Sequence, residues 1–104
     1  MPSLYHNVTG ELTKELLAPG DGFNPASIEL TNIHGSIPCT IDLYIEKKLL
    51  GKFYMLKDVN LPIGATLIRD INIANRDDEN GFGLYIKLTK SASETPAVDV
   101  IIKQ

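Results

Sequence analysis

Apolar and polar residues alternate with a period of two along most of this chain, the spacing that turns one face of a β-strand to a core and the other outward. Residues 39–46 show it most clearly: Cys39, Ile41, Leu43 and Ile45 fall on one face, and Thr40, Asp42, Tyr44 and Glu46 on the other. Residues 82–88 repeat the scheme, with Phe82, Leu84, Ile86 and Leu88 inward and Gly83, Tyr85 and Lys87 outward. Near the end of the sequence, Val98, Val100 and Ile102 alternate with Asp99, Ile101 and Lys103. The face bearing Ile101 is only half polar, which suits cover by another strand or subunit.

Upstream, Ser27 to Ile33 alternates until His34-Gly35-Ser36, a turn that predicts a hairpin into the 39–46 strand. Residues 50–56 and 58–61 precede a second turn at Pro62-Ile63-Gly64, after which Ala65 to Ile71 reads as another strand. There proline fixes φ, and glycine permits a backbone that is costly for other residues. Residues 11–17 have some helix propensity, but the abrupt stop at Pro19-Gly20-Asp21-Gly22 favours a strand. The polar stretches 75–80 and 91–96 read as exposed loops.

Seven or eight short strands with regularly spaced turns predict an all-β antiparallel sandwich, Ig-like or jelly-roll-like, forming a single domain over residues 1–104. Strand order within the sheets is not written in any local pattern. A chain of 104 residues hides roughly 65% of its unfolded surface on folding, enough for a core without metals or disulfides.

Charge and composition narrow the functions. A net charge of −3 leaves no basic face to neutralise phosphates, so nucleic acid is not an expected partner. Apolar runs are soon interrupted by charges or turn residues, so no membrane span is expected. The first residues lack the basic start and apolar stretch of a secretory signal. Cys39 stands alone in Ile37-Pro38-Cys39-Thr40-Ile41 and reads as a small buried apolar residue rather than a reactive thiol.

Candidate chemistry is sparse. His6 and His34 are too far apart in sequence, with Cys39 alone beyond them, to suggest a metal-ligand set. Asp77, Asp78, Glu79 and Asn80 form an oxygen-rich loop of a kind able to hold Ca²⁺ weakly, but its spacing matches no EF-hand and a solvated turn is the simpler reading. Neither histidine lies in a nucleophile motif, and Pro19-Gly20-Asp21-Gly22 lacks the Lys-Ser/Thr of a phosphate loop. No catalytic residue, cofactor or metal is therefore expected. Asn7-Val8-Thr9 is a chance glycosylation sequon. Tyr44, Tyr54 and Tyr85 point outward from strands, where tyrosine serves contact surfaces or stacks on sugars, though isolated surface rings explain them too.

The middle of the chain carries a longer pattern. Ile28-Glu29-Leu30-Thr31-Asn32 is an alternating strand ending in asparagine, followed by Thr40-Ile41-Asp42-Leu43-Tyr44-Ile45. Tyr54-Met55-Leu56-Lys57-Asp58-Val59-Asn60-Leu61-Pro62-Ile63-Gly64-Ala65-Thr66-Leu67 comes next, and Val98-Asp99-Val100-Ile101-Ile102 closes the series. Together, across residues 26–103, these segments resemble small structural proteins of tailed bacteriophages. The chain departs from that pattern by inserting residues 73–80 before the Phe82 strand.

What the resemblance implies is a sandwich that acts by bridging, most simply a cement or decoration subunit holding major capsid proteins in the head. A neck or tail adaptor or fibre-associated component is the close alternative. Such a protein is expected in the virion, assembled in the host cytoplasm, partnered by the major capsid protein or other virion proteins, and oligomeric. The expected contact residues are Leu4, Tyr5, Tyr44, Leu50, Tyr54, Tyr85 and Ile101. From another class, a carbohydrate-binding sandwich would use the outward tyrosines.

Overall fold

β-branched and aliphatic residues at alternate positions favour extended backbone and leave a greasy face on each strand, which two facing sheets can bury together. A computed structural model describes residues 3–9, 13–18, 24–35, 37–47, 50–72, 82–90 and 95–104. The 19–22 turn, the whole 73–80 insertion with its 75–80 acidic loop, and most of the 91–96 stretch lie outside these residues.

The described residues form eight strands: β1 (Ser3–Thr9), β2 (Thr13–Leu17), β3 (Ser27–Asn32), β4 (Cys39–Lys47), β5 (Gly51–Leu61), β6 (Thr66–Asp70), β7 (Phe82–Lys90) and β8 (Ala97–Lys103). They build two four-stranded antiparallel sheets, ordered β1-β8-β3-β6 and β2-β7-β4-β5. This is the all-β sandwich the alternation predicts, and the order is that of a jelly roll. The 13–17 segment is a strand, as its abrupt stop suggested.

One connection differs from expectation. The turn at His34-Gly35 does not make a hairpin: β3 belongs to the first sheet and β4 to the second. Asn32 explains the redirection. Its buried side-chain amide donates to the carbonyls of Ile37 and Leu61, 3.1 Å from each, and its Oδ1 accepts from the His34 N–H at 2.9 Å. A polar side chain at an inward position thus satisfies three backbone groups where the chain leaves one sheet for the other. His34 helps, its Nδ1 accepting from the Ile37 N–H at 3.2 Å. The return crossing, from β5 to β6, uses Pro62-Ile63-Gly64, with Gly64 at φ 73 as the sequence anticipated.

Between the sheets, Ile28, Leu30, Ile41, Leu43, Leu84, Ile86, Leu88, Val98 and Ile102 are fully buried. Each such side chain contributes about 1.5–3 kcal/mol relative to leaving it in water. Cys39 sits in this cluster, and burial pushes its thiol pKa up, as suits a packing residue.

β5 breaks the simple alternation. It spends eleven residues against nine on β4, and its register with β4 shifts between Ile41 and Leu43 and again between Leu43 and Tyr44. The first shift places Lys57 and Asp58 opposite the single residue Asp42, a β-bulge with Asp58 at φ 52. Asp42, although on the outer face, is buried. Its carboxylate accepts the Asp58 N–H at 2.7 Å and lies 3.4 Å from Lys57 Nζ. A charge-assisted bond to the bulge amide thereby holds a backbone that aspartate tolerates better than most residues.

Candidate functional site

Antiparallel pairing aligns residues in rows across a sheet, so outward side chains on neighbouring strands become neighbours. In the second sheet, Glu15 of β2 pairs with Tyr85 of β7, Tyr85 with Tyr44 of β4, and Tyr44 with Tyr54 of β5. One row across all four strands therefore reads Glu15–Tyr85–Tyr44–Tyr54. The Tyr44 and Tyr85 rings stack with centroids 5.5 Å apart, and Tyr54 lies tilted against Tyr44 at 5.2 Å. Lys52 Nζ sits 5.1 Å from the Tyr44 ring centre, and Lys57 Nζ 4.7 Å from that of Tyr54. The Tyr85 hydroxyl donates to Glu15 Oε2 at 2.9 Å, a bond that raises the Tyr85 pKa, with burial adding to it.

The row corrects the reading of Tyr44 as a surface contact. Its ring is 5% exposed because Tyr85, Tyr54 and Lys52 cover it, so no partner can reach it without moving them. Tyr85 is half-buried, while Tyr54 stays exposed under Lys57. The three tyrosines predicted as outward therefore do converge, as a packed outer layer that stiffens the sheet.

Gly83 completes the layer. A Cβ there would lie 2.8 Å from Tyr85 Cε1 and 3.0 Å from the Tyr85 hydroxyl, so the ring rests directly on glycine backbone. Gly83→Ala is expected to displace the ring from Tyr44 and Glu15 and to cost about 1–2 kcal/mol. Thermal or urea melts of the single variant and of Gly83→Ala/Tyr85→Ala check it. With the ring gone, the added methyl should cost nothing further, so the two changes will be markedly non-additive.

The outer face of the first sheet is organised in the same way. Tyr5–Ile101–Glu29–Ile68 forms one row across β1, β8, β3 and β6, and Asn7–Asp99–Thr31–Thr66 the next. Asn7 Nδ2 donates to Asp99 Oδ1, Thr31 and Thr66 share a hydroxyl bond of 2.9 Å, and Lys103 Nζ pairs with Glu29 at 3.0 Å. Tyr5 is 72% exposed, and Ile101, half-buried, stands directly opposite it. Tyr5, Asn7, Asp99 and Ile101 border a surface depression of about 340 Å³ together with His6 and Val100. Leu4, the remaining expected contact near Tyr5, instead turns inward and packs on the core.

Large exposed apolar side chains concentrate elsewhere. Leu50, Phe53, Tyr54, Ile63 and Ile68 all lie on the run from the β4–β5 turn through β6. β5 and β6 are the edge strands of opposite sheets joined by a short turn, so these residues follow two neighbouring edges, with Tyr54 and Ile68 on the outer faces of opposite sheets. Leu50 and Tyr54 were expected from sequence. Phe53, Ile63 and Ile68 were not, because each occupies a position that period-two reading assigns no special role.

His6 points inward from β1, and its Nε2 is buried without a hydrogen-bond partner. Burial and the neighbouring Lys14 lower its pKa, while a hydrogen bond to the Leu16 backbone works against them. The unfolded chain therefore binds this proton more readily than the folded one. The contribution of a neutral His6 is fully present above the unfolded value of 6.5 and is lost as pH falls toward the lower folded value. Stability is expected to drop by up to about 1.4 kcal/mol per pH unit over that window, and His6→Gln to flatten that slope. Urea melts of both proteins at a series of pH values between about 7.5 and 5.5 give the comparison.

The two facing sheets, with packed and hydrogen-bonded outer faces, define a jelly-roll β-sandwich. No family model matches the chain, and no curated protein does either. Among solved structures it is similar to one described as the crystal structure of PirA, with a TM-score of 0.57 and 15% identity over 96% of this chain and 93% of that one. The likeness is one of fold.

Proposed function

We propose that the chain is a structural subunit of a phage virion, a cement or decoration protein that bridges major capsid proteins and stabilises the head. The observation that carries this reading is the set of exposed apolar side chains, Leu50, Phe53, Tyr54, Ile63 and Ile68, on and beside two edge strands of a sandwich whose outer faces are otherwise largely internally bonded. Large apolar side chains left in water on and beside the edges of a sandwich suit contact with another protein. A lattice multiplies a modest contact of this kind over many copies. The phage-like pattern over residues 26–103 supports the reading from the side of sequence. A neck or tail position is the alternative within the same class.

The tyrosine row favours this reading over sugar binding. Stacking on a sugar needs an open ring face, and Tyr44 offers none while Lys57 lies over Tyr54.

The first measurement is the copy number of this protein in purified virions, by quantitative mass spectrometry against the major capsid protein. A lattice-following cement subunit gives on the order of hundreds of copies per particle, and a neck or tail component about a dozen or fewer. Absence from the particle overturns the proposal. If the protein is present, Leu50→Asp/Ile68→Asp should lower its incorporation while leaving its melting temperature near that of the parent, since both side chains are exposed.

A further inference from the structure

An edge strand presents unpaired N–H and C=O groups to any chain able to lie beside it, and folded proteins blunt such edges with charge, bulges, proline or brevity. The two sheets have four edges: β1, β6, β2 and β5. β5 carries two register shifts with Lys52, Lys57 and Asp58. β2 carries Lys14, Glu15 and a register shift between Glu15 and Leu17. β6 is five residues long and ends in Arg69-Asp70.

β1 has none of these protections. Its seven residues, Ser3-Leu4-Tyr5-His6-Asn7-Val8-Thr9, pair with β8 in unbroken register and include no Lys, Arg, Asp, Glu or Pro. His6, the one titratable group besides Tyr5, has its pKa lowered by burial, which disfavours its charged form. Among the described residues nothing pairs with its outer edge.

We infer that β1 is the docking edge for β1 of a second copy of this chain, the two strands running antiparallel about a two-fold axis at His6 to join the first sheets into one continuous eight-stranded sheet.

The strand itself selects this occupant. Directly opposite residues in an antiparallel pair share a face. Inward Leu4, His6 and Val8 must therefore meet inward residues, or one of the two cores would be turned to water. That condition allows registers with the axis on Tyr5, His6 or Asn7. Only the His6 axis engages the full strand, setting Leu4 against Val8, Tyr5 against Asn7 and Ser3 against Thr9 of the second copy. On the inner face Leu4 meets Val8 and His6 meets its own copy, and on the outer face amide or hydroxyl meets polar. A net charge of −3 on each copy opposes association in general, and an edge free of formal charge is where two copies approach at least electrostatic cost. The two exposed Tyr5 rings become diagonal neighbours across the axis, within reach of one another.

This inference stands apart from the virion reading, since it concerns the isolated chain and survives or fails whatever the copy number in particles. Sedimentation velocity over about 10 µM to 1 mM, the range suited to an interface of this modest size, should show a monomer–dimer equilibrium. Tyr5→Lys/Asn7→Lys puts like charges opposite each other twice and should weaken the dimer at least about tenfold. Tyr5→Glu/Asn7→Lys puts opposite charges in the same places and should restore it. Thermal melts establish that both variants fold. Amide exchange of the unaltered protein gives a test free of mutation, with protection of β1 rising as concentration rises. A monomer at every concentration overturns the inference, as does a dimer indifferent to both variants or one lost equally in both while they remain folded.

Discussion

Asn32→Leu will lower stability by about 3–4 kcal/mol, the largest loss expected from any single polar side chain described here. Leucine has the same number and branching of side-chain heavy atoms as asparagine and suits an inward position flanked by core residues, so a cavity is not the cause. The loss comes from the carbonyls of Ile37 and Leu61 and the N–H of His34, which leucine leaves buried and without their partner. Each orphaned group costs about 1–3 kcal/mol, offset in part by the gain of burying an aliphatic chain. Urea denaturation checks the figure. Asn32→Asp separates geometry from chemistry: the carboxylate keeps the bond from His34 but cannot donate to either carbonyl. It should be at least as damaging at neutral pH and recover partly as acid protonates it. A loss below about 1 kcal/mol for leucine would mean that the crossing between β3 and β4 does not depend on this amide.

Asp42→Ala is expected to cost about 2–3 kcal/mol. The carboxylate is buried, so the bond it accepts from the Asp58 N–H has little competition from water. Its approach to Lys57 adds little, because that ammonium is 57% exposed. What alanine removes is the acceptor that holds the bulge in β5. Combining it with Asp58→Gly tells the two sources of cost apart. Glycine relieves the φ of 52 but leaves the amide unpaired, so it should recover less than about 1 kcal/mol. Fuller recovery would place the cost in the torsion.

The sequence pattern carries most strands and little of their arrangement. β4, β7 and β8 are legible because apolar residues recur at alternate positions along each, and those positions face the core, although Asp42 and Tyr44 on the outer face of β4 are buried as well. β5 is less so, since its two shifts move inward positions from Leu61 and Val59 to Leu56 and then to Phe53 opposite Ile45. No period-two template follows such a strand. The false hairpin at His34-Gly35 has a similar origin: turn residues announce a change of direction but not which sheet receives the chain. The signal that could have resolved it is Asn32, a polar residue in an inward place, whose role depends on Leu61 far along the chain.

The outer-face row was half visible. Alternation puts Tyr44, Tyr54 and Tyr85 on outward faces, but their mutual packing rests on register across three strands, and register is a tertiary property. Gly83 likewise reads as a weak point in a strand until Tyr85 is seen lying on it. For the histidines, sequence could not show that one serves a turn and that the other faces the inner layer with its Nε2 lacking a partner.

The strand order also sets the sequence of events by which the chain acquires its shape. Of the pairings in the two sheets, β4 with β5 joins strands consecutive in the chain, whereas β1 with β8 brings together residues as far apart as Ser3 and Lys103. Closing such long loops precedes any reward from the contacts they make, so this topology folds slowly for its size. On a ribosome, β1 and β3 emerge well before β8, the strand that lies between them. Until β8 is synthesised the first sheet is split, and its uncharged leading strand stays open to any other nascent chain nearby.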